Sequence, residues 1–176
     1  MRALLAWVLA TTAFLSPGSR LGAQSAGPEP PSQGPCAGPQ YRQFDFWIGE
    51  WRVEANGRFA GTNVIEPALD GCVIRERWTG AQGMRGTSLN IYDSRRNKWH
   101  QTWVDSRGTL LLLEGVWDGS KMVLRGTSLG AEGSPELHEI SWEPLAPDRV
   151  RQLWRISRDS GATWRVVFDG LYRRQR

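Results

Sequence analysis

The sequence predicts an all-β fold, an antiparallel up-and-down barrel of about ten strands with a short N-terminal helical plug, and three observations carry that expectation. From Glu50 onward, apolar and polar residues alternate with period two. Gly, Asp, Asn, Ser or Pro breaks the alternation at a spacing of roughly 8–12 residues, as expected for many short strands. Helical periodicity is nearly absent.

In order, Tyr41 to Ile48 can form one short helix or 3₁₀ turn with Phe44, Trp47 and Ile48 on one face, placed to plug one end of the barrel. Strands are expected at Trp51 to Ala55, Thr62 to Glu66, Cys72 to Thr79, Thr87 to Tyr92 and Lys98 to Asp105. The second five are Leu110 to Trp117, Lys121 to Gly126, Leu137 to Glu143, Val150 to Ser157 and Trp164 to Tyr172. The connectors carry turn chemistry: Asn56-Gly57, Asp70-Gly71, Asp93 to Asn97, Ser106 to Gly108, Asp118-Gly119, Pro144 to Asp148 and Asp159 to Gly161. Strands joined by tight turns pair antiparallel, and closure into a barrel removes the exposed edges of such a meander.

Residues 1–23 read as a secretory signal peptide: Met1-Arg2 is charged, Ala3 to Leu15 is apolar and Ser16 to Ala23 is small and polar. The apolar run is shorter than the ~20 residues a membrane-spanning helix needs. No later run is apolar enough to span, so the mature chain is expected to be soluble, monomeric and secreted or periplasmic. Residues 24–40 contain five prolines and three glycines and read as a flexible leader. Residues 41–176 are the size of one domain.

The formal charge is +4, from 22 basic and 18 acidic residues. Removal of Arg2 and Arg20 with the signal leaves 20 basic against 18 acidic residues, spread along the chain without a basic stripe. Nucleic acid is therefore not an expected partner. The two cysteines, Cys36 and Cys72, fit a disulfide between leader and domain in an oxidising compartment. No Cys-x-x-Cys pair or His cluster suggests a metal, and no cofactor is expected. Phosphate-loop and HExxH motifs are absent from the sequence.

Gly49-Glu50-Trp51 resembles the Gly-x-Trp that opens the first strand of lipocalins and other calycins. The resemblance implies that Trp51 closes the barrel floor against an Arg from the end of the last strand, here within Tyr172-Arg173-Arg174, with Arg173 taken as that residue. More widely, FDFWIGEW, LDGCVIRERW, GTSLNIYD, WHQTWVD, SRDSGATW and FDGLYRR together resemble an uncharacterised, calycin-like family of exported bacterial proteins, domain of unknown function 1579. That resemblance covers about Cys36 to Arg174 and implies a fold and a compartment, but no activity. Ser157 to Trp164 fits the Asp-box pattern S-x-D-x-G-x-T-W known from sialidases and other propellers. A propeller would repeat the box. One copy reads as a hairpin staple in which Asp159 accepts backbone N–H bonds, Gly161 takes positive φ and Trp164 packs beneath.

His100 and His138 fall in separate strands and are expected to be partly exposed. The nitrobindins, a related small-barrel group, hold haem through a His near the C-terminus, and no His follows His138 here.

The alternation also sorts the faces. One face carries Cys72, Ile74, Glu76 and Trp78, then Ser88, Asn90 and Tyr92, then Trp99, Gln101 and Trp103, then Gln152, Trp154 and Ile156. The other carries Arg75, Arg77, His100, Thr102, Arg151 and Arg155 and reads as solvent. Buried polar groups need partners, so Glu76, Asn90, Gln101 and Gln152 either satisfy one another or serve a ligand beside Trp78, Trp103 and Trp154. The leading functional expectation is a binder of a small amphipathic molecule. The alternatives are an enzyme using Glu76 as acid or base, and a cell-envelope scaffold with a filled barrel.

Overall fold

The computed structural model describes residues 34–130 and 133–175. The signal segment 1–23 and leader residues 24–33 lie outside the described residues. Ten strands close into one antiparallel barrel in which each is hydrogen-bonded to its sequence neighbours and the last returns to the first. They are β1 (Gly49–Ala55), β2 (Arg58–Ala68), β3 (Val73–Gly80), β4 (Arg85–Asp93) and β5 (Lys98–Asp105), followed by β6 (Leu110–Trp117), β7 (Met122–Leu129), β8 (Pro135–Ala146), β9 (Arg149–Ser157) and β10 (Arg165–Arg174). The turn residues do what their chemistry allows: Asn56 and Gly57, between β1 and β2, both have positive φ, which suits a tight hairpin.

The plug is two 3₁₀ turns, Pro39–Arg42 and Asp45–Trp47. Phe44 and Trp47 are fully buried. Phe44 stacks on Trp47 at 4.9 Å and meets the edges of Trp99 and Trp142 at 5.6 and 5.3 Å. Ile48, expected on the same face, is partly buried against this cluster. The density of tryptophan around residue 47 thus fills one end of the barrel, where fully buried aromatics contribute most of the apolar area removed from water.

Within the expected leader, residues 34–40 take defined structure. Ala37 N–H donates to Gly34 O at 3.1 Å. Cys36 and Cys72 form a disulfide, and Arg42 donates to the carbonyls of Cys36 and Gly71. Cys72 itself lies in the turn before β3 rather than on the lumen face, which leaves its sulfur free to reach Cys36. A disulfide fits an oxidising compartment. Among the described residues no helix is long and apolar enough to cross a membrane.

Closure of the barrel joins β1 to β10, with Trp51 opposite Arg174 and Arg52 opposite Arg173. The assignment of Arg173 to the floor is therefore corrected to Arg174. Tyr172 points inward and is buried, so Arg173 points out, within 3.6 Å of Glu54. The Arg174 guanidinium lies 4.3 Å from the centre of the Trp51 ring and donates to Ile48 O at 2.9 Å. The Trp51 indole N–H donates to Trp47 O at 2.8 Å, which ties floor to plug. A cation over an aromatic ring at an exposed position is worth about 0.5–1 kcal/mol. Arg174→Ala should lower unfolding stability by about 1 kcal/mol more than Arg173→Ala, read from denaturant midpoints; equal effects would contradict the floor assignment.

Candidate functional site

The opposite end of the barrel is open. Because strand side chains alternate, every second residue of β3, β5 and β9 enters the lumen, and the register sets Glu76 opposite Ser88, Asn90 opposite Gln101, and Ile140 opposite Trp154. Six of the sequence-predicted residues, Glu76, Trp78, Gln101, Trp103, Gln152 and Trp154, meet around one cavity of about 180 Å³. Asn90, the seventh, is fully buried and accepts a hydrogen bond from its cross-strand partner Gln101.

The sequence reading missed the rest of the wall. Tyr172 and Phe168 enter from β10, Leu111 from β6 and Ile140 from β8, while Met84 comes from the turn before β4. Tyr172 and Leu111 fall on the inward phase of strands that had been assigned, so alternation alone could have found them. Phe168 shares the phase of Tyr172; the count breaks just before it, where the β9–β10 register shifts between Val166 and Phe168 and the extra residue, Val167, is left at the cavity mouth. The aromatic walls also need glycine behind them. A side-chain carbon at Gly86 would collide with the Trp103 ring, and one at Gly170 with the Phe168 ring.

Polar groups along one side of the lumen form a directed chain. Gln101 donates to Asn90 Oδ1 at 2.7 Å, Asn90 donates to Ser88 Oγ at 2.9 Å, and Ser88 donates to Glu76 Oε2 at 2.6 Å. Asn63 donates to the other oxygen, Glu76 Oε1, at 2.7 Å, and to Tyr172 Oη at 3.3 Å. Tyr172 in turn donates to Gln152 Oε1. The run from Gln101 through Asn90 and Ser88 leads toward the carboxyl group, and Glu76 accepts on both oxygens, while the branch from Asn63 through Tyr172 leads away to Gln152. That polarity suits a carboxylate, which accepts and cannot donate. Asn63 Oδ1 is buried without a partner among the described residues.

Burial acts against the charge. Glu76 is 4% exposed, and desolvation raises its pKa from 4.5 to about 7, while the bonds from Ser88 and Asn63 pull the other way. Tyr172 is raised well above the usual phenol value, first by desolvation and then by the nearby Glu76 carboxylate.

His138 corrects the expectation of a partly exposed strand histidine. It is 5% exposed and belongs to a second polar group at the open end. Trp154 Nε1–H donates to its Nδ1 at 3.2 Å, and its Nε2 is 2.8 Å from Ser128 Oγ. With Nδ1 accepting, the neutral ring carries its proton on Nε2 and donates it to Ser128. The serine hydroxyl therefore has no base to activate it, and the pair is not a nucleophile and its base. Burial lowers the His138 pKa, partly opposed by Glu136. His100 is partly exposed and bonds Thr102 at 2.8 Å on the outer face.

The outer face is ionic. Arg75 and Arg77 of β3 both reach Glu66 of β2, Arg151 pairs with Asp169, and Glu139 lies between Arg125 and Arg155. At the β9–β10 turn, Asp159 accepts from Ser157 Oγ at 2.7 Å, Thr163 N–H at 2.8 Å and Thr163 Oγ1 at 2.6 Å, and Gly161 has φ of +93°. These bonds hold the Asp159 pKa down to about 2. Trp164 carries the Arg155 guanidinium 5.0 Å from its ring centre. The box is a staple on a hairpin. Among the described residues no group of three or more His, Cys, Asp or Glu side chains could hold a metal ion.

Fold and site together define a closed ten-stranded antiparallel barrel with one plugged end and an aromatic cavity at the other. No protein-family model matches the chain, and no curated protein matches it.

Two outcomes follow from the polar chain. Replacing Gln101 with Leu strands Asn90 Oδ1 in the interior and should cost about 1–3 kcal/mol of stability; an unchanged thermal melt would mean that the bond is not made. For Glu76, the folded pKa lies above the unfolded value, so between pH 4.5 and about 7 the folded state binds the extra proton. Stability should therefore fall as pH rises through that window, by about 3 kcal/mol in all, and level off above it. His138, lowered in the fold, contributes in the opposite sense below its usual value of 6.5. The Glu76 part is isolated by subtracting the pH profile of Glu76→Gln from that of wild type; parallel profiles would overturn the assignment.

Proposed function

We propose that this protein binds a small amphipathic molecule in the open end of the barrel, outside the cytoplasm. The observation that carries the reading is the cavity itself: three tryptophans and a phenylalanine form walls, while Glu76, Gln101, Gln152 and Tyr172 bring polar atoms to one space. Apolar walls with a few convergent polar groups are the usual chemistry of ligand sites. The volume, about 180 Å³, is below the roughly 300–1,000 Å³ of sites for drug-sized ligands and equals the share of about six liquid waters. It suits a ligand with a single ring. The disulfide and the resemblance to an exported calycin-like family support the compartment.

An acid or base role for Glu76 is favoured by its value near neutrality. The cavity, however, brings no second charged side chain and no activated nucleophile to it, so binding is the better-supported reading. A purely structural role draws on the internally bonded polar chain. Only binding uses the space left beside it.

The test is a titration of the full chain with benzyl alcohol and with benzylamine, followed by tryptophan fluorescence and thermal shift. At least one should bind, and Leu111→Trp, which fills the cavity from β6, should abolish binding while circular dichroism still reports a β fold. Binding of neither compound, or unchanged binding to a folded Leu111→Trp, would reject this site.

A further inference from the structure

Resting on that binding reading, we infer that the ligand is a cation: a protonated primary amine on a small apolar or aromatic body, held with its nitrogen at Glu76 and its body between the tryptophans. Among the described residues, Glu76 is the sole charged one lining the cavity. Its protein partners, Asn63 and Ser88, are neutral donors, so the carboxylate is buried without the countercharge that buried ions ordinarily have. A ligand ammonium would supply that charge. Glu76 has room for it, since two carboxylate oxygens offer about four acceptor positions, and Asn63 and Ser88 occupy one on each.

The direction of the polar chain selects the same class. Donors run from Gln101 through Asn90 and Ser88 into Glu76, and from Asn63 into its other oxygen. Negative charge is concentrated at Glu76, which lines the cavity. An anionic ligand would be repelled there, and among the lining residues no Lys or Arg is present to receive it.

The walls add a second attraction. Trp78, Trp103, Trp154 and Phe168 surround the space, and aromatic faces attract ammonium groups most strongly where water is excluded. The chain already uses this contact at its other end, where the Arg174 guanidinium lies over Trp51.

The titratable groups that could confuse a pH test can be named. Tyr172 faces Glu76 from β10 and stays protonated through the neutral range. At the mouth, His138 and Glu136 enter from β8, 3.8 Å apart, and Glu136 is paired with Arg158.

The experiment compares benzylamine with benzyl alcohol, which matches it in size and lacks the charge, on the full chain. At about pH 8.5, where Glu76 is ionised, benzylamine should bind about tenfold or more tightly than benzyl alcohol. At about pH 5, benzylamine is still protonated but Glu76 is not, and the preference should shrink to about threefold or less. Glu76→Gln should show the small preference at both pH values, which separates Glu76 from His138 and Glu136. If Glu76→Gln does not fold, the wild-type pH comparison against benzyl alcohol decides alone. Equal affinities at pH 8.5, a preference for benzyl alcohol, or a preference that survives in folded Glu76→Gln would overturn the cation while leaving a small-molecule site. Binding of neither compound would reject the site and the cation together.

Discussion

Closing ten strands into a ring sets the space inside before any side chain is chosen, because strand number and stagger determine the diameter. Half of every strand must then fit within it. This barrel divides the problem along its axis. At one end Phe44, Trp47, Trp51, Trp99 and Trp142 pack together in the buried core. At the other, large rings lie over neighbouring positions that have no side chain, Trp103 over Gly86 and Phe168 over Gly170. These two rings lie over bare backbone, Trp78 meets Phe168 edge to face at 6.2 Å, and space is left beside them. Large and small residues alternate around a taper in many small barrels; here the alternation creates a chamber as well as packing.

The boundary between the filled and open halves is polar, and it determines how each half behaves. Asn63, Ser88, Asn90 and Gln101 are nearly or fully buried, and each finds a partner inside the protein, so the layer does not require a ligand for the barrel to form. What it leaves uncompensated is charge. Desolvation of Glu76 outweighs two good hydrogen bonds, and the raised pKa records the imbalance. A fully satisfied polar layer would read as a specificity device for the fold. Here the hydrogen bonds are met save at Asn63 Oδ1, while the charge on Glu76 has no countercharge among the lining residues.

Most of this was legible in the sequence, for a reason tied to closure. Once one face of a barrel is inside, a one-residue slip would reverse every side chain, so strict alternation is a dependable guide. It placed Glu76, Gln101, Trp103, Gln152 and Trp154 on the inner face, and their strands bring them together. It failed where the phase changes. Past the bulge at Val167, the count that puts Tyr172 and Phe168 inside no longer applies, and Trp164 ends under Arg155 on the flank of the barrel. Misplacing the floor cation by one residue, at Arg173 instead of Arg174, came from adopting a motif without carrying the alternation through Tyr172. The bond between Asn63 and Tyr172 spans 109 residues of sequence, so no local pattern could reveal it. His138 was undervalued because its partners, Ser128 and Trp154, come from strands on either side of it.

The seam between β1 and β10 also has a consequence in time. Trp51 pairs with Arg174, and Glu50 O accepts from Gln175 N–H, so the first strand waits for nearly the last residues of the chain. Contacts so distant in sequence carry a large loop-closure cost and slow folding. Until β10 arrives, β1 and β9 each present a free edge that any extended chain can join. For this protein the most hazardous moment is late, when nine strands are made and the tenth is missing. A chain cut short by ten residues would retain almost all of its sequence and remain a sticky, open sheet.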